Sequence, residues 1–349
     1  MTLKEAAKNA RELMMPQCKM CPECNGVACR GEVPGMGGKG TGQSFMNNVS
    51  ALKKITLNMR VIHSVTEPDL SCEIFGMKLS MPVMPAPVAG MNINMGGKMS
   101  EEDYIRGVIR GSSFAGLVPT VGDSAFKSFI LDNLRVLKEE KVQGIPFIKP
   151  WNTEELLERI DLAMESNPLA IGVDIDSCGL DTLKLHGTRV DPKTLDELIL
   201  IKKHLTVPFI IKGIMTVEDA TLAIRAGADA IVVSNHGGRV LDTVPGTCDA
   251  LGDIVLAVGG RCKVFVDGGV RSGVDVFKML ALGADMVLIG RPFAQYAIGG
   301  NDEGVRLYAK KIYDELKGAM LLTGSQNLKA IDRRNINLKD IFSSFPDTI

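Results

Sequence analysis

Eight short apolar segments, each of strand length, recur along the chain and alternate with stretches of helical periodicity. The apolar segments are 82–87, 116–120, 145–150, 169–176, 208–213, 230–235, 263–269 and 285–292. The intervening stretches, such as 101–116, 152–166, 217–228 and 272–284, are amphipathic. Strands that are apolar on both faces and joined by helical crossovers form a parallel sheet covered by helices. Eight such units in roughly 250 residues predict an α/β fold, the closed (β/α)8 or TIM barrel, with an open doubly wound sheet as the alternative.

The remaining segments set the predicted domain boundaries. Residues 1–80 contain a cysteine-rich loop and an irregular lead-in, so we expect an N-terminal extension there. Residues 81–349 form the predicted barrel domain, which ends with a long helix over 305–324 and a tail. Two helices are expected to end at Gly227 and Gly283, because glycine suits a left-handed cap just before the next strand.

Charge and hydropathy argue against several classes of protein. The chain has 40 basic and 41 acidic residues, which gives no electrostatic reason to expect binding to nucleic acid. Its apolar runs are too short to cross a bilayer, and the charged N-terminus lacks the apolar core of a signal peptide. We therefore expect a cytoplasmic protein whose eight cysteines are thiols or metal ligands and not a disulfide framework.

Polar and charged side chains collect at the ends of five successive predicted strands. They are Asp174 with Asp176, Lys212, Ser234 to His236, Asp267 to Arg271, and Gly290 with Arg291. The C-terminal ends of the strands form the active-site face of a TIM barrel. A single residue of this kind is compatible with a structural ion pair, whereas five such strand ends predict an active site.

The last two predicted strands are each followed by a glycine-rich turn that contains an arginine. "DGGVRSG" places Gly268, Gly269 and Arg271 at the start of a helix, and "IGRP" places Gly290 and Arg291 one strand later. Glycines let backbone N–H groups approach an anion at a helix N-terminus. The two turns together predict a phosphate site, which this fold often carries after its last two strands. Two ordinary strand-to-helix turns are the alternative.

His236 is one of only four histidines and lies in a polar loop before two glycines. We interpret it as a catalytic base, with a buried structural histidine as the alternative. Arg239, three residues later, offers a planar fork suited to a carboxylate. Lys212 follows an apolar strand, so its ammonium is expected at the mouth of the barrel unless it extends to solvent. This loop therefore pairs a proton acceptor with an anion anchor.

The series "SNHGGR", followed by "VFVDGGVRSGVDVFKMLALGADMVLIGRPF", resembles the FMN-dependent α-hydroxy-acid dehydrogenases and oxidases, such as glycolate oxidase and L-lactate dehydrogenase. Segments 60–91, 210–220 and 315–331 resemble the same family, so the similarity covers most of the chain. The resemblance implies an FMN enzyme that oxidises an (S)-2-hydroxy acid to the 2-oxo acid and passes the electrons to an unidentified acceptor. It also implies a homo-oligomer, either a tetramer or an octamer.

The resemblance implies roles for individual residues. His236 would take the proton of the substrate as hydrogen leaves C2 for the flavin, Asp176 would orient that histidine, and Arg239 would bind the substrate carboxylate. Lys212 would stabilise the anionic reduced flavin. The other residues expected to hold FMN are Pro85, Ala86, Pro87 and Val88 through their backbone, and Thr120, Lys149, Ser234, Asp267, Gly268, Gly269, Arg271, Gly290 and Arg291.

The expected substrate shell departs from the family pattern. The position of the family's second substrate-binding arginine is Leu183, so its neighbour Lys184 joins His236 and Arg239 as a candidate substrate-binding residue. The third strand, "FIKPW", lacks the family's Gln and Tyr, and Lys149 replaces the Gln. Lactate and glycolate are therefore not the expected substrates.

The N-terminal extension carries a motif that typical members of the family lack. "CKMCPECNGVAC" arranges Cys18, Cys21, Cys24 and Cys29 as C-x2-C-x2-C-x4-C. This spacing approaches the ferredoxin pattern and predicts a [4Fe–4S] cluster, to which a nearby flavin would supply electrons. Tetrahedral zinc suits four thiolates nearly as well, and a loop of unligated cysteines is the remaining alternative.

Two other functions fit parts of the pattern. A different FMN-dependent reaction, such as that of an isomerase or a reductase using the N-terminal cluster, fits the barrel, but "SNHGGR" counts against it. A non-catalytic flavin or metal protein that serves electron transfer or regulation fits the cysteines, but a reaction-competent pair of His236 and Asp176 favours an enzyme.

Overall fold

The computed structural model of the chain describes residues 1–187 and 189–338. In these ranges the strands are β1 (Thr56–Leu57), β2 (Cys72–Ile74), β3 (Met77–Leu79), β4 (Val83–Pro85), β5 (Thr120–Gly122), β6 (Ile145–Ile148), β7 (Ile171–Asp174), β8 (Phe209–Ile214), β9 (Ala230–Val233), β10 (Lys263–Val266), β11 (Met286–Ile289) and β12 (Ile336–Asn337). The helices are α1 (Leu3–Met14), α2 (Gln43–Lys54), α3 (Met91–Asn94), α4 (Glu101–Phe114), α5 (Lys127–Glu140), α6 (Thr153–Met164), α7 (Asp181–Leu185), α8 (Leu195–His204), α9 (Val217–Arg225), α10 (Thr247–Val258), α11 (Gly273–Ala281) and α12 (Arg291–Thr323).

Strands β4 to β11 form one parallel sheet in the order β4-β11-β10-β9-β8-β7-β6-β5. The two end strands of this order meet through a side chain, because the Thr120 hydroxyl donates to the Pro85 carbonyl oxygen at 2.6 Å. The sheet is therefore a nearly closed barrel surrounded by helices, and the predicted TIM barrel is confirmed.

Alternate residues along each barrel strand face two separate apolar clusters, as the period of a strand requires. On β9, for example, Ala230 and Val232 pack inside the barrel, whereas Ile231 and Val233 pack against the helices. The hairpin formed by β2 and β3 adds Ile74 to the interior cluster. Burial on both faces explains why these strands read as continuous apolar runs.

Most predicted elements are confirmed with small shifts. The second strand was expected over 116–120 and lies at Thr120–Gly122. Gly227 and Gly283 have φ values of +85° and +103°, so both predicted left-handed caps are confirmed. The last helix starts earlier than expected, at Arg291, and is interrupted by non-helical torsion angles at Asn301. Residues 339–349 of the predicted tail lie outside the described residues.

The segment before the barrel packs over its C-terminal strand ends. The Lys39 amide donates to the Gly238 carbonyl oxygen at 2.8 Å, and the Asn48 side-chain amide donates to Asn235 Oδ1 at 2.8 Å. A Cβ on Gly238 would lie 2.3 Å from the Phe45 nitrogen, so this close approach requires glycine. The N-terminal segment thereby covers the loop that carries His236.

None of the helices in the described ranges is long and apolar enough to span a bilayer.

Candidate active site

A cavity with about 950 Å³ of empty space, partly open to solvent, lies at the C-terminal ends of the barrel strands. Its lining includes the predicted residues Ala86, Pro87, Val88, Lys149, Lys212, His236, Arg239, Asp267, Gly268, Gly269, Arg271, Gly290 and Arg291. A concave site lined by apolar and a few charged groups suits a small molecule or cofactor. The barrel therefore brings together residues that are separated by more than 200 positions in the sequence.

His236 and Asp176 form the predicted pair. His236 Nδ1 lies 3.0 Å from Asp176 Oδ1, and its side chain is 15% exposed. Asp176 is held in a 3-10 turn directly after β7, whereas His236 has a left-handed backbone with a φ of +56°. Burial lowers the pKa of His236 below its usual value of 6.5, although the carboxylates of Asp174 and Asp176 oppose this shift. The imidazole is therefore neutral at neutral pH and able to accept a proton.

Asp174 links two buried lysines next to the pair. Its Oδ2 lies 2.6 Å from Lys149 Nζ, and its Oδ1 lies 2.7 Å from Lys212 Nζ. Burial alone would raise the pKa of Asp174, but the two ammonium groups and His236 hold it well below 3.8. For Lys212, burial opposes the charged form, but Asp174, Asp176 and Asp267 raise its pKa above 10.5. Two cations therefore share one carboxylate in this wall of the cavity.

Arg239 lies in the same cavity and is partly buried. Its Nη2 donates to Asn94 Oδ1 at 2.8 Å, whereas its Nε has no hydrogen-bond partner. Burial, together with the charge of Arg291, lowers the pKa of Arg239 to about 10. A guanidinium that lines a cavity and has an unpaired donor is suited to a carboxylate ligand.

The two predicted phosphate arginines contact the N-terminal segment. Arg291 donates to the carbonyl oxygens of Met36 at 2.7 Å, Gly37 at 2.9 Å and Gly237 at 3.0 Å. Arg271 donates to the Cys24 carbonyl oxygen at 3.1 Å and to the Cys24 sulfur at 3.6 Å. Both arginines line the cavity, and the N-terminal segment orients their guanidinium groups.

The residues present fit the FMN that the sequence predicts. Asp267 Oδ1 is buried without a hydrogen-bond partner, and burial raises the pKa of this carboxyl to about 6. A Cβ on Gly290 would have no atom nearer than Ala86 Cβ at 3.6 Å, so it would project into the cavity. Gly268 and Gly269 have φ values of +96° and +80°. An unpaired acceptor and a glycine-lined helix start are what a flavin with a hydroxylated chain and a phosphate requires.

Several predicted residues do not line the cavity. Lys184 is exposed on α7 and lies outside the cavity, whereas its neighbour Leu183 lines it, so the substrate-binding prediction for Lys184 is not supported. The two residues lie on different faces of the helix, which their spacing alone could not decide. Thr120 and Pro85 are absent from the lining and are hydrogen-bonded to each other. Ser234 is also absent from it, because its side chain is fully buried and accepts a hydrogen bond from the His236 amide at 3.1 Å.

Sequence reasoning missed an acidic residue that also lines the cavity. Asp123 is buried directly after β5 and accepts from Trp151 Nε1 at 2.6 Å and from Arg159 Nη1 at 2.7 Å. Burial raises the pKa of Asp123, although Arg159 opposes the shift. Asp123 was missed because the second strand was predicted to end at residue 120. A strand that ends at Gly122 would have identified Asp123 as a carboxylate at a strand end. Asn94, the partner of Arg239, carried no comparable signal.

The four cysteines of the N-terminal motif line a second, smaller cavity, which we call the cysteine cavity. It has about 380 Å³ of empty space, partly open to solvent, and its lining consists of Gln17, Cys18, Lys19, Cys21, Cys24, Asn25, Gly26, Ala28, Cys29, Met36, Arg291 and Gln295. All four cysteines are free thiols. Met36 and Arg291 line both cavities, so the two sites are neighbours.

Comparison with protein families places the chain among flavoenzymes. Residues 35–179 and 177–338 match the family described as FMN-dependent dehydrogenase. The chain is 32% identical over 329 residues to 4-hydroxymandelate oxidase of Amycolatopsis orientalis, which covers 86% of this chain and 92% of that protein. It is 30% identical to L-lactate oxidase of Lactobacillus jensenii over 323 residues, 84% of this chain and 78% of that protein.

Solved structures agree with this placement. A crystal structure of mandelate oxidase with 3,3-difluoro-2-hydroxy-3-phenylpropionic acid superposes with a TM-score of 0.76 and 29% identity. The superposition covers 96% of this chain and 98% of that one. Fold and sequence therefore support the same assignment, whereas residues 18–29, which carry the four cysteines, precede the part of the chain that the family matches.

Proposed function

This chain belongs to the FMN-dependent dehydrogenase family, and we propose that it oxidises an (S)-2-hydroxy acid to the 2-oxo acid with FMN as its cofactor. One observation carries the proposal. His236, a neutral base held by the Asp176 carboxylate, lines the same cavity as Arg239, whose Nε is an unpaired donor. These groups suit the hydroxyl and the carboxylate of one small substrate.

His236 is the proposed general base. Asp176 fixes the Nδ1 side of the ring, so the other ring nitrogen, Nε2, is available to take the hydroxyl proton of the substrate. The imidazole becomes positively charged as it takes this proton, and the carboxylates of Asp176 and Asp174, at 3.0 and 3.7 Å, stabilise that charge. A buried pair of this kind lowers the barrier because its charges are already oriented before the reaction.

Arg239 is the proposed anchor for the substrate carboxylate. Its Nη2 is already held by Asn94, which fixes the plane of the guanidinium. The free Nε would then donate to one carboxylate oxygen. Binding at this end would hold C2 and its hydroxyl next to His236.

Different residues of the cavity would contact different parts of FMN. Bound FMN supplies the two-electron acceptor for the hydrogen that leaves C2. Lys212 and Lys149 would place positive charge beside the ring, and Asp267 would accept from the hydroxylated chain. The phosphate would lie at the starts of α11 and α12, held by Gly269, Arg271, Gly290 and Arg291, while the backbone of Ala86 to Val88 would face the ring.

We further propose that the substrate carries an apolar substituent at C2. Leu180, Leu183 and Met36 line the cavity and are almost fully buried. Leu183 takes the position where the sequence pattern of the family predicts a second arginine. This wall favours an apolar side chain, and two of the matching proteins are named for mandelate, an aromatic 2-hydroxy acid.

The decisive experiment is an anaerobic screen of 2-hydroxy acids against the flavin-loaded enzyme. Bleaching of the visible flavin absorbance by the S enantiomer of at least one apolar 2-hydroxy acid, and not by its R enantiomer, is expected. Glycolate should bleach the flavin more slowly. A panel that leaves the flavin oxidised, while dithionite reduces it, would contradict the proposal.

We also propose a cytoplasmic location, assembly into a homo-oligomer, transfer of the electrons to an external acceptor, and a second cofactor at Cys18, Cys21, Cys24 and Cys29, for which a [4Fe–4S] cluster and zinc are the candidates. The division into an extension over 1–80 and a barrel domain over 81–349 is also a proposal.

A further inference from the structure

We propose that the cysteine cavity holds a [4Fe–4S] cluster, which takes electrons from the reduced flavin and passes them one at a time to a carrier protein. The ligands would be Cys18, Cys21, Cys24 and Cys29. The electron-transfer part of this inference rests on the proposed function, whereas the cluster itself does not.

The sulfur atoms of the four cysteines are spaced more widely than in a preformed site for a single zinc ion. Among the described residues, the only group of three histidine, cysteine or acidic ligand atoms within 4.8 Å of one another is Asp174, Asp176 and His236. No three of the four cysteine sulfurs are therefore that close. Tetrahedral zinc with Zn–S bonds of about 2.3 Å would bring all four sulfurs to about 3.8 Å from one another. A [4Fe–4S] core keeps its thiolates farther apart, because four iron atoms lie between them.

The surroundings of the cavity suit a negatively charged iron–sulfur centre. Gln295 Nε2 donates to Cys18 Sγ at 3.3 Å, and Arg271 Nη2 donates to Cys24 Sγ at 3.6 Å. Arg291 lines the cavity as a partly buried cation. Hydrogen bonds to the sulfur atoms and nearby positive charge stabilise such clusters and set their potential.

The loop that carries the cysteines has little secondary structure and buries few side chains. From Met15 to Pro34 there is no helix and no strand, and Cys18 is the only residue in this range whose side chain is buried. Burial of apolar surface therefore contributes little to its order. Four thiolate-to-metal bonds would supply the missing free energy, as they do in small metal-stabilised domains.

The cysteine cavity is placed so that electrons could pass through it from the flavin site to the protein surface. Met36 and Arg291 form a common wall between the cysteine cavity and the flavin site. On the outer side, Pro22, Val27 and Ala28 are exposed to solvent. A cluster here would lie between the flavin and the protein surface.

The electron balance is complete with a one-electron carrier as the external acceptor. Oxidation of the 2-hydroxy acid breaks its C2–H and O–H bonds and releases two electrons and two protons. Both electrons reach the flavin, and the cluster would accept them in turn, cycling between its 2+ and 1+ states. Each electron would then leave to one oxidised carrier protein, and the two protons would go to solvent.

The first test is elemental analysis of the full chain purified under strict anaerobiosis. About four irons and about four acid-labile sulfides per chain are expected, together with an electron paramagnetic resonance signal after dithionite reduction. One zinc per chain, or no metal, would overturn the proposal. This result does not depend on any variant or on the identity of the substrate.

The second test compares Cys21→Ser with Cys262→Ser. Cys262 is also a half-buried free thiol but lies outside the cysteine cavity. Cys21→Ser should lose iron and sulfide and become sensitive to proteolysis between residues 15 and 42, whereas Cys262→Ser should keep both. Full iron and sulfide in Cys21→Ser would overturn the assignment of this ligand.

The third test follows electrons without using a substrate. The flavin is photoreduced with light and EDTA. The electron paramagnetic resonance signal of the reduced cluster is then recorded while the flavin becomes oxidised again. We expect the cluster signal to appear in the wild-type protein, and reoxidation of the flavin by ferricenium to be slower in Cys21→Ser. A cluster that stays oxidised beside reduced flavin would exclude the transfer step. Because photoreduction replaces the 2-hydroxy acid, this outcome is distinct from failure of the proposed function.

Discussion

The strand-end site and the cysteine cavity share a wall but are ordered by different means. At the strand ends, Asp174 is fixed on a barrel strand, and its oxygens lie 2.6 and 2.7 Å from the ammonium groups of Lys149 and Lys212. The cysteine segment has no regular secondary structure over 15–34 and buries little. The barrel thus preorganises the first site, whereas order in the second is proposed to depend on a bound cluster.

The largest expected effect is on catalysis at the strand-end site. His236→Ala should slow substrate-driven reduction of the flavin by ~10²–10⁴-fold, because the variant has no base for the hydroxyl proton. FMN content should not change, since the imidazole is not expected to hold the cofactor. Stopped-flow absorbance under anaerobic conditions measures the rate. A rate near that of the wild type would remove His236 from the mechanism.

The second prediction concerns the stability of the apoprotein. Asp174→Asn leaves two buried ammonium groups without their carboxylate and should lower the free energy of unfolding by ~3–5 kcal/mol. Glu32→Gln, which breaks a half-exposed ion pair with Lys19 in the cysteine segment, should cost less than ~1 kcal/mol. Urea denaturation of both variants measures the difference. An equal loss in the free energy of unfolding for the two variants would contradict the view that the barrel alone is preorganised.

Most of the strand-end site could be predicted from the sequence, because its residues lie at the ends of strands that recur regularly along the chain. Once eight strands are assigned, the residues near the C-terminal end of each strand are placed at one rim, and His236, Asp176 and Lys212 come together there. Asp123 was missed because its strand was placed too early, and Lys184 was chosen over Leu183 because the face of a short helix is not visible in the sequence.

The orientation of the phosphate arginines could not be predicted at all. Arg271 and Arg291 contact Cys24 and Met36, which lie about 250 positions earlier in the chain. No periodic pattern connects a barrel turn to an irregular loop at this distance. The sequence indicated four potential metal ligands, but only the fold shows that they share a wall with the flavin site.

A third prediction concerns the pH dependence of flavin reduction. Burial lowers the pKa of His236, and the imidazole acts in its neutral form. The rate should therefore fall only as the pH drops through a pKa below 6.5, and it should be constant above that value. Asp176→Asn removes a charge that raises this pKa, so the acid limb should move to lower pH while the rate decreases. Movement to higher pH would contradict the proposed role of Asp176.

The smallest expected effect lies at the cysteine cavity and isolates one hydrogen bond. Gln295 is buried on α12, and its Nε2 donates to Cys18 Sγ at 3.3 Å. A donor to a thiolate sulfur stabilises the more negative, reduced form of an iron–sulfur cluster and raises its potential. Gln295→Leu keeps a side chain of similar size but removes the donor, so the midpoint potential should fall while iron content stays constant.

A titration monitored by electron paramagnetic resonance measures this shift, with Gln326→Leu as the control, since Gln326 lies outside the cysteine cavity. Because the substitution leaves all four thiols in place, loss of iron would indicate that Gln295 orders the loop. A potential that does not change would show that this hydrogen bond does not act on a redox centre, and a rise would contradict the expected direction of the effect. A downward shift confined to Gln295→Leu would instead connect one amide of the barrel domain to the electronic properties of the N-terminal loop.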